Sequence, residues 1–282
     1  MESTPNPRPQ KSHAQGSQSR SGAGITEVLG EYGCLTDHQL ALVTGRQSAT
    51  IRKQANTLFR EGAIGRVQHR RGQRGRPISV NYLLDTDWGR APAREHQLQL
   101  NDVRLGWACS DVPTPSLTIQ TWDTQTRTPP PPTEVASPLE SPAGNGEHVR
   151  PDAMVLLQHE QAERPLVVFV ELDRGTEALS RSSTRQSSWA MKARLYQQTA
   201  QLIRWRDWAL DQVSSSQDAV CRLAVVTTST AHLTSIDDTL QLDTPAVGVW
   251  LTRYSDFATR GPWACIWQRS GENTPRPFIP RK

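Results

Sequence analysis

The stretch RPDAMVLLQHEQAERPLVVFVELD, residues 150–173, decides the fold. Its two apolar runs, Ala153–Leu157 and Leu166–Val170, have the length and the β-branched content of strands from the middle of a sheet. Yet acids stand where the first run begins and the second ends: Asp152 after Pro151, then Glu171 and Asp173. Buried carboxylates are costly unless something cationic or hydrogen-bonding meets them. A hairpin between the two runs would bring all three to one edge of the sheet.

Further strands are expected in RLAVVTTST (222–230) and AVGVWLTRY (246–254), with a last edge strand in WACIWQR (263–269). A helical segment precedes them from residue 91, and a long helix follows residue 188. Strands alternating with helices imply a mixed α/β layer with helices packed on a sheet. At 100° steps along the long helix, Met191, Leu195, Leu202 and Ala209 mark one side of a broad apolar arc, and Trp189, Tyr196 and Ile203 the other. Arg194, Gln197, Gln201 and Arg204 face away. Lys192 falls inside the arc. A lysine aimed at a sheet needs either a snorkelling path or an acidic partner, and Glu171 and Asp173 are the candidates.

Hard divalent cations take oxygen ligands, and Mg²⁺ is commonly held by one or two carboxylates plus water and substrate phosphate. The spacing of Asp152 and Glu171 therefore suits metal-assisted attack on a phosphodiester, with Mg²⁺ as the ion and Mn²⁺ as its substitute. A solvated strand end would tolerate the same acids.

At 282 residues the chain has room for two domains. Its 20 Pro and 18 Gly, against a hydrophobic fraction of 35%, assign part of it to tails and linkers. Cys34, Cys109, Cys221 and Cys265 are too scattered for a zinc motif and too few for a disulfide scaffold, so a reducing cytoplasm is expected. No window holds the ~18 apolar residues of a membrane helix. Residues 1–90 carry 13 Lys/Arg against 7 Asp/Glu, whereas residues 91–282 carry 19 against 21. The first third is where a polyanion partner is expected.

That third reads as three short helices. Ile25, Val28 and Leu29 give the first an apolar face closed by Gly33. Thr36 caps a second helix with Leu40 and Val43 inward, and Gly45 breaks the chain. The third runs from about Gln47 to Arg60, with Ile51, Ala55, Leu58 and Phe59 at helical spacing. Two strand-like runs follow, joined by a loop holding Arg70, Arg71, Arg74 and Arg76. The pattern is that of a winged helix-turn-helix domain binding double-stranded DNA. Gln47, Ser48, Thr50, Arg52, Lys53 and Asn56 would meet bases and phosphates, and the wing arginines the backbone. A helical domain with a merely solvated basic face, or one used for dimerisation, is the alternative.

The resulting division is a disordered tail (1–22), a winged helix-turn-helix domain (23–90), an α/β domain (91–270) with a Pro-rich surface excursion at 113–143, and a C-terminal tail (271–282).

HQLQLNDVRL (96–105), RPDAMVL (150–156), VVFVELDRGTE (167–177) and MKARLYQQ (191–198), behind the basic helical segment, resemble the replication-relaxation family of plasmids and integrative elements. The resemblance implies a role in plasmid replication, DNA relaxation or conjugative transfer, with replication or relaxosome proteins as further partners. It also implies a PD-(D/E)XK nuclease-like domain in which Asp152 and Glu171 hold metal and Lys192 stabilises charge. Asp173 stands where that pattern has lysine. Either Lys192 has taken over the lysine's role, with Asp173 assisting, or catalysis is lost and the domain serves dimerisation, partner binding or transcriptional regulation. Asp102, His96 and Arg104 supply either an outer acid or a surface.

Overall fold

The computed structural model describes residues 24–69, 77–86, 88, 91–110, 117–124, 151–159, 164–175, 188–197, 206–207, 210, 219–242 and 247–279. The first unit runs α1 (Ile25–Tyr32), β1 (Cys34–Thr36), α2 (Asp37–Thr44), α3 (Ser48–Arg60), β2 (Gly65–His69) and β3 (Ile78–Tyr82). Gly33, at φ 79°, ends α1. A capping box starts α2: the Thr36 hydroxyl accepts the Gln39 N–H, and the Gln39 side chain accepts the Thr36 N–H. Left-handed Gly45 ends it. Ile25, Val28, Leu29, Leu40, Val43, Ile51 and Ala55 close one core, as their spacing predicts.

Two features of this unit differ from the expectations. Phe59 is 48% exposed, because Ile51 and Ala55 already fix the inward stripe of α3 and Phe59 lies off it. β1 is an additional strand, three residues long, in an antiparallel sheet ordered β1-β3-β2. Gly65 is required where β2 meets β3, since a Cβ there would lie 2.3 Å from the Tyr82 ring.

Helix α4 (Ala91–Cys109) leads to a six-stranded sheet built from β4 (Leu117–Thr124), β5 (Ala153–His159), β6 (Leu166–Asp173), β7 (Val220–Thr227), β8 (Gly248–Arg253) and β9 (Gln268–Arg269), in that spatial order. β5 runs antiparallel to both of its neighbours, β4 and β6; β6, β7 and β8 are parallel, and β9 returns antiparallel. Helices α5 (Trp189–Gln197), α6 (Thr230–Leu242) and α7 (Tyr254–Arg260) complete a mixed α/β structure.

Side chains alternate between the two faces of this sheet. Val168, Val170 and Leu172 pack with Trp107 of α4 and with Trp263, Trp267 and Phe278. Val167 and Phe169 pack on the opposite face with Trp189, Ala193 and Tyr196 of α5 and with Leu233 and Ile236 of α6. Glu171 and Asp173, in step with Val167 and Phe169, therefore belong to the α5–α6 face. Asp152, two residues before Met154, follows the same side of β5.

The Pro-rich segment is not one continuous surface excursion. Leu117–Thr124 forms β4 and pairs along β5. LTIQTWDT contains no proline, so nothing removes its ladder donors, whereas the prolines lie at 113, 115 and from 129 onward. The rest of the insertion lies outside the described residues. After Ser270, in the segment expected as a tail, Phe278 is fully buried and Arg276 bridges to Trp267. Of WACIWQR only Gln268 and Arg269 form a strand.

Candidate active site

The acids of the opening stretch meet at the carboxyl ends of β6 and β7, beside the start of β5. Glu171 is 1% exposed and has both oxygens engaged. The Lys192 ammonium donates to Oε2 at 2.7 Å, and the Tyr196 hydroxyl donates to Oε1 at 2.7 Å. The helical step from 192 to 196 brings both donors of α5 to one carboxylate. Trp189, Ala193 and Tyr196, all buried, anchor this turn of α5. Lys192 thus finds the acidic partner its inward position requires, and its ammonium also lies 5.0 Å from the Trp189 ring.

Asp152 is held from two elements. Leu172 N–H of β6 donates to Oδ2 at 2.8 Å, and His96 Nε2 of α4 lies 3.2 Å from Oδ1. Burial raises the Asp152 carboxyl, but the His96 hydrogen bond and charge, the Lys192 ammonium and the Leu172 N–H outweigh it and hold the group below the usual carboxylate range. Glu171 goes the other way. Burial pushes it up to about 7, Lys192 opposes that rise, and the Asp152 charge adds to it.

Asp173, also buried, has separate partners. Its Oδ2 accepts from the Thr227 hydroxyl at 2.7 Å, the Gly175 N–H at 3.2 Å and His232 Nδ1 at 2.5 Å. It does not pair with Lys192 in any described contact. At the rim Arg174 pairs with Glu95 of α4 at 3.2 Å.

Of the outer candidates, only His96 reaches the acids. Asp102 instead accepts from Gln39 at 2.7 Å and from the Tyr254 hydroxyl, and Arg104 pairs with Glu31 and stacks over Tyr32. Sequence reasoning passed over Tyr196 as a site residue and missed His232 and Thr227. The four-residue step from Lys192 was the available signal for Tyr196. Nothing in the spacing of His232 pointed to Asp173, because the two are 59 residues apart and meet only through the parallel pairing of β6 and β7.

In the first unit, Gln47, Thr50, Arg52, Lys53 and Asn56 are exposed along α3 and Ser48 is half-buried. Arg52 lies 3.8 Å from Asp37 while remaining 66% exposed. Arg70, Arg71, Arg74 and Arg76 lie outside the described residues, as do residues 198–205 of the expected long helix.

The donor set fits a hard cation. Asp152, Glu171 and Asp173 place three carboxylates on one face with one fixed ammonium, Lys192, among them. Burial lifts Glu171 to about 7 against the pull of that ammonium, and the Asp152 charge adds to the rise. Among the described residues no three His, Cys, Asp or Glu side chains form a ready metal cage. Two carboxylates suffice for Mg²⁺ when water and phosphate complete the shell.

The family described as Replication-relaxation matches residues 27–209, well over half of the chain and including every acid of the site. No curated protein and no solved structure matches. Among the described residues no helix is long and apolar enough to cross a membrane.

Proposed function

Starting from the premise that the chain belongs to the replication-relaxation family, which points to plasmid or mobile-element replication or relaxation, we propose that it is a DNA-binding, Mg²⁺-dependent nickase. The first unit acts as a winged helix-turn-helix. α3 enters the major groove with Gln47, Ser48, Thr50, Arg52, Lys53 and Asn56, and Arg70, Arg71, Arg74 and Arg76 follow the phosphates. The second unit is a PD-(D/E)XK nuclease-like domain. The observation that carries this reading is the convergence of Asp152, Glu171 and Lys192 on one sheet edge.

Asp152 and Glu171 would hold Mg²⁺, or Mn²⁺ in its place. The bound ion supplies a polarised phosphate and a water of lowered pKa. The other groups position and compensate. His96 and the Leu172 N–H orient Asp152, and Tyr196 orients Glu171. Lys192, beside Glu171, would offset charge building on the phosphate.

Nicking of supercoiled plasmid in Mg²⁺ tests this, with Glu171→Gln as the comparison and DNA binding measured in parallel. The native protein is expected to nick and the variant to bind without nicking. Equal nicking by both would remove the enzyme. DNA binding without nicking by either would favour the second reading, an accessory factor or regulator whose second unit serves dimerisation or partner binding. One observation points that way: both Glu171 oxygens are already occupied by side chains of α5.

A further inference from the structure

Asp173 is the acid at which the chain departs from the nuclease pattern, and its surroundings explain the departure differently from a simple loss of lysine. It lies two residues beyond Glu171 on the same face of β6, roughly 7 Å along the strand. Its side chain is fully buried, and among the described residues no lysine or arginine pairs with it. Oδ2 accepts from Thr227, Gly175 and His232, while the buried Oδ1 has no hydrogen-bond partner among the described residues.

His232 is the third residue of α6, and its backbone N–H is fixed by the Ser229 hydroxyl at 3.1 Å. Nδ1 is the ring nitrogen turned to Asp173, and a hydrogen bond donated from it to the carboxylate leaves Nε2 as the accepting nitrogen. Nε2 then carries the lone pair. The ring keeps 20% of its surface exposed, and Nε2 has no partner among the described residues. α6 packs beside α5 in the core that holds Trp189, Tyr196 and Leu233. His232 thus stands at the same strand ends as Lys192 and Glu171.

We propose that His232 is a further catalytic residue, the proton acceptor for hydrolysis of a DNA phosphodiester, with Asp173 as its positioning residue; the proposal rests on the nickase reading above. The water oxygen forms a bond to phosphorus as one of its protons passes to Nε2. The bond from phosphorus to the leaving sugar oxygen breaks, and that oxygen takes a proton from a solvent water. The hydroxide left behind takes the proton back from Nε2. One water is consumed per nick and His232 is restored. Asp173 orients the ring and faces the imidazolium that forms, as in other acid-oriented histidines.

The test uses the full chain on supercoiled plasmid in Mg²⁺. His232→Ala is expected to lose about 10²- to 10⁴-fold in nicking rate with DNA affinity unchanged. Added imidazole should restore part of the rate to His232→Ala and none to Glu171→Gln. His232→Asn keeps a donor toward Asp173 but has no accepting ring nitrogen, so it should lose the same rate while unfolding as the native protein does. Asp173→Asn should lose rate, and ¹⁵N spectra should show His232 leaving the Nδ1–H form that the native protein holds. Native nicking with either His232 variant at full rate, or no imidazole rescue, or a native Nε2–H tautomer overturns this inference and leaves the nickase reading intact. A native protein that does not nick overturns both.

Discussion

Glu171→Gln should change how stability depends on pH, by an amount the site itself sets. The Glu171 carboxyl rises from 4.5 in its ordinary state to about 7 in the fold, chiefly through burial. A folded pKa above the unfolded one means that the native state binds the proton more tightly. Stability from this group is therefore fully present below pH 4.5 and is lost as pH rises through 7. The span corresponds to about 3 kcal/mol, at ~1.4 kcal/mol per pH unit of displacement. Glu171 is 1% exposed, so solvent screening removes little of it. Urea unfolding of the native protein and of Glu171→Gln, measured from pH 4.5 to 8.5, isolates the effect. The native curve should fall relative to the variant by about 3 kcal/mol across that window. Mg²⁺ should flatten the native curve, because a cation between Asp152 and Glu171 favours the ionised form, and should leave the variant unmoved. Parallel curves without metal would refute the claim that burial raises the Glu171 carboxyl.

Two further perturbations follow from the packing and from α3. Phe278→Ala removes a fully buried ring that stacks within 4.8 Å of Trp267 and 5.2 Å of Trp107, and should cost roughly 3–5 kcal/mol in urea unfolding followed by tryptophan fluorescence; a change below about 1 kcal/mol would restore residues 271–282 to the status of a tail. Replacing Arg52 and Lys53 together with Ala should weaken DNA binding at every sequence and reduce the slope of log affinity against log salt by about 2; an unchanged slope would take these two cations off the phosphates.

Local chemistry made much of the first unit legible. The Thr36 N-cap and Gly45 bound α2 at its observed ends, because those signals act over three or four positions. β1 was invisible for the converse reason. Three residues between Gly33 and Thr36 carry no period, and only the pairing of Cys34, Leu35 and Thr36 with β3 makes them a strand. β4 was hidden by its neighbours, since eight prolines between 113 and 142 obscured one proline-free stretch. In the site, the 100° step that put Lys192 on the inner face of α5 also fixed its partner to the sheet. His232 had no such cue. Its bond to Asp173 depends on the register that sets Asp173 beside Thr227 and on where α6 begins, both properties of the assembled sheet.

α4 joins these results into one physical account. Its 19 residues extend about 28 Å and serve two cores at once. Leu98 packs with Cys34 and Val80, Leu105 joins the core of the first unit, and Asn101 donates to the Tyr32 and Cys34 carbonyls. On its other side Leu100, Val103 and Trp107 pack under β5 and β6, and His96 reaches Asp152. Asp102 stands between, accepting from Gln39 of α2 and from Tyr254 of α7. A helix with an apolar stripe on each side cannot swing without opening one of the two cores, and the buried donors Asn101 and Gln97 would lose the Cys34 and Tyr32 carbonyls as it moved. α3 and the carboxylates are therefore held at a fixed offset from each other.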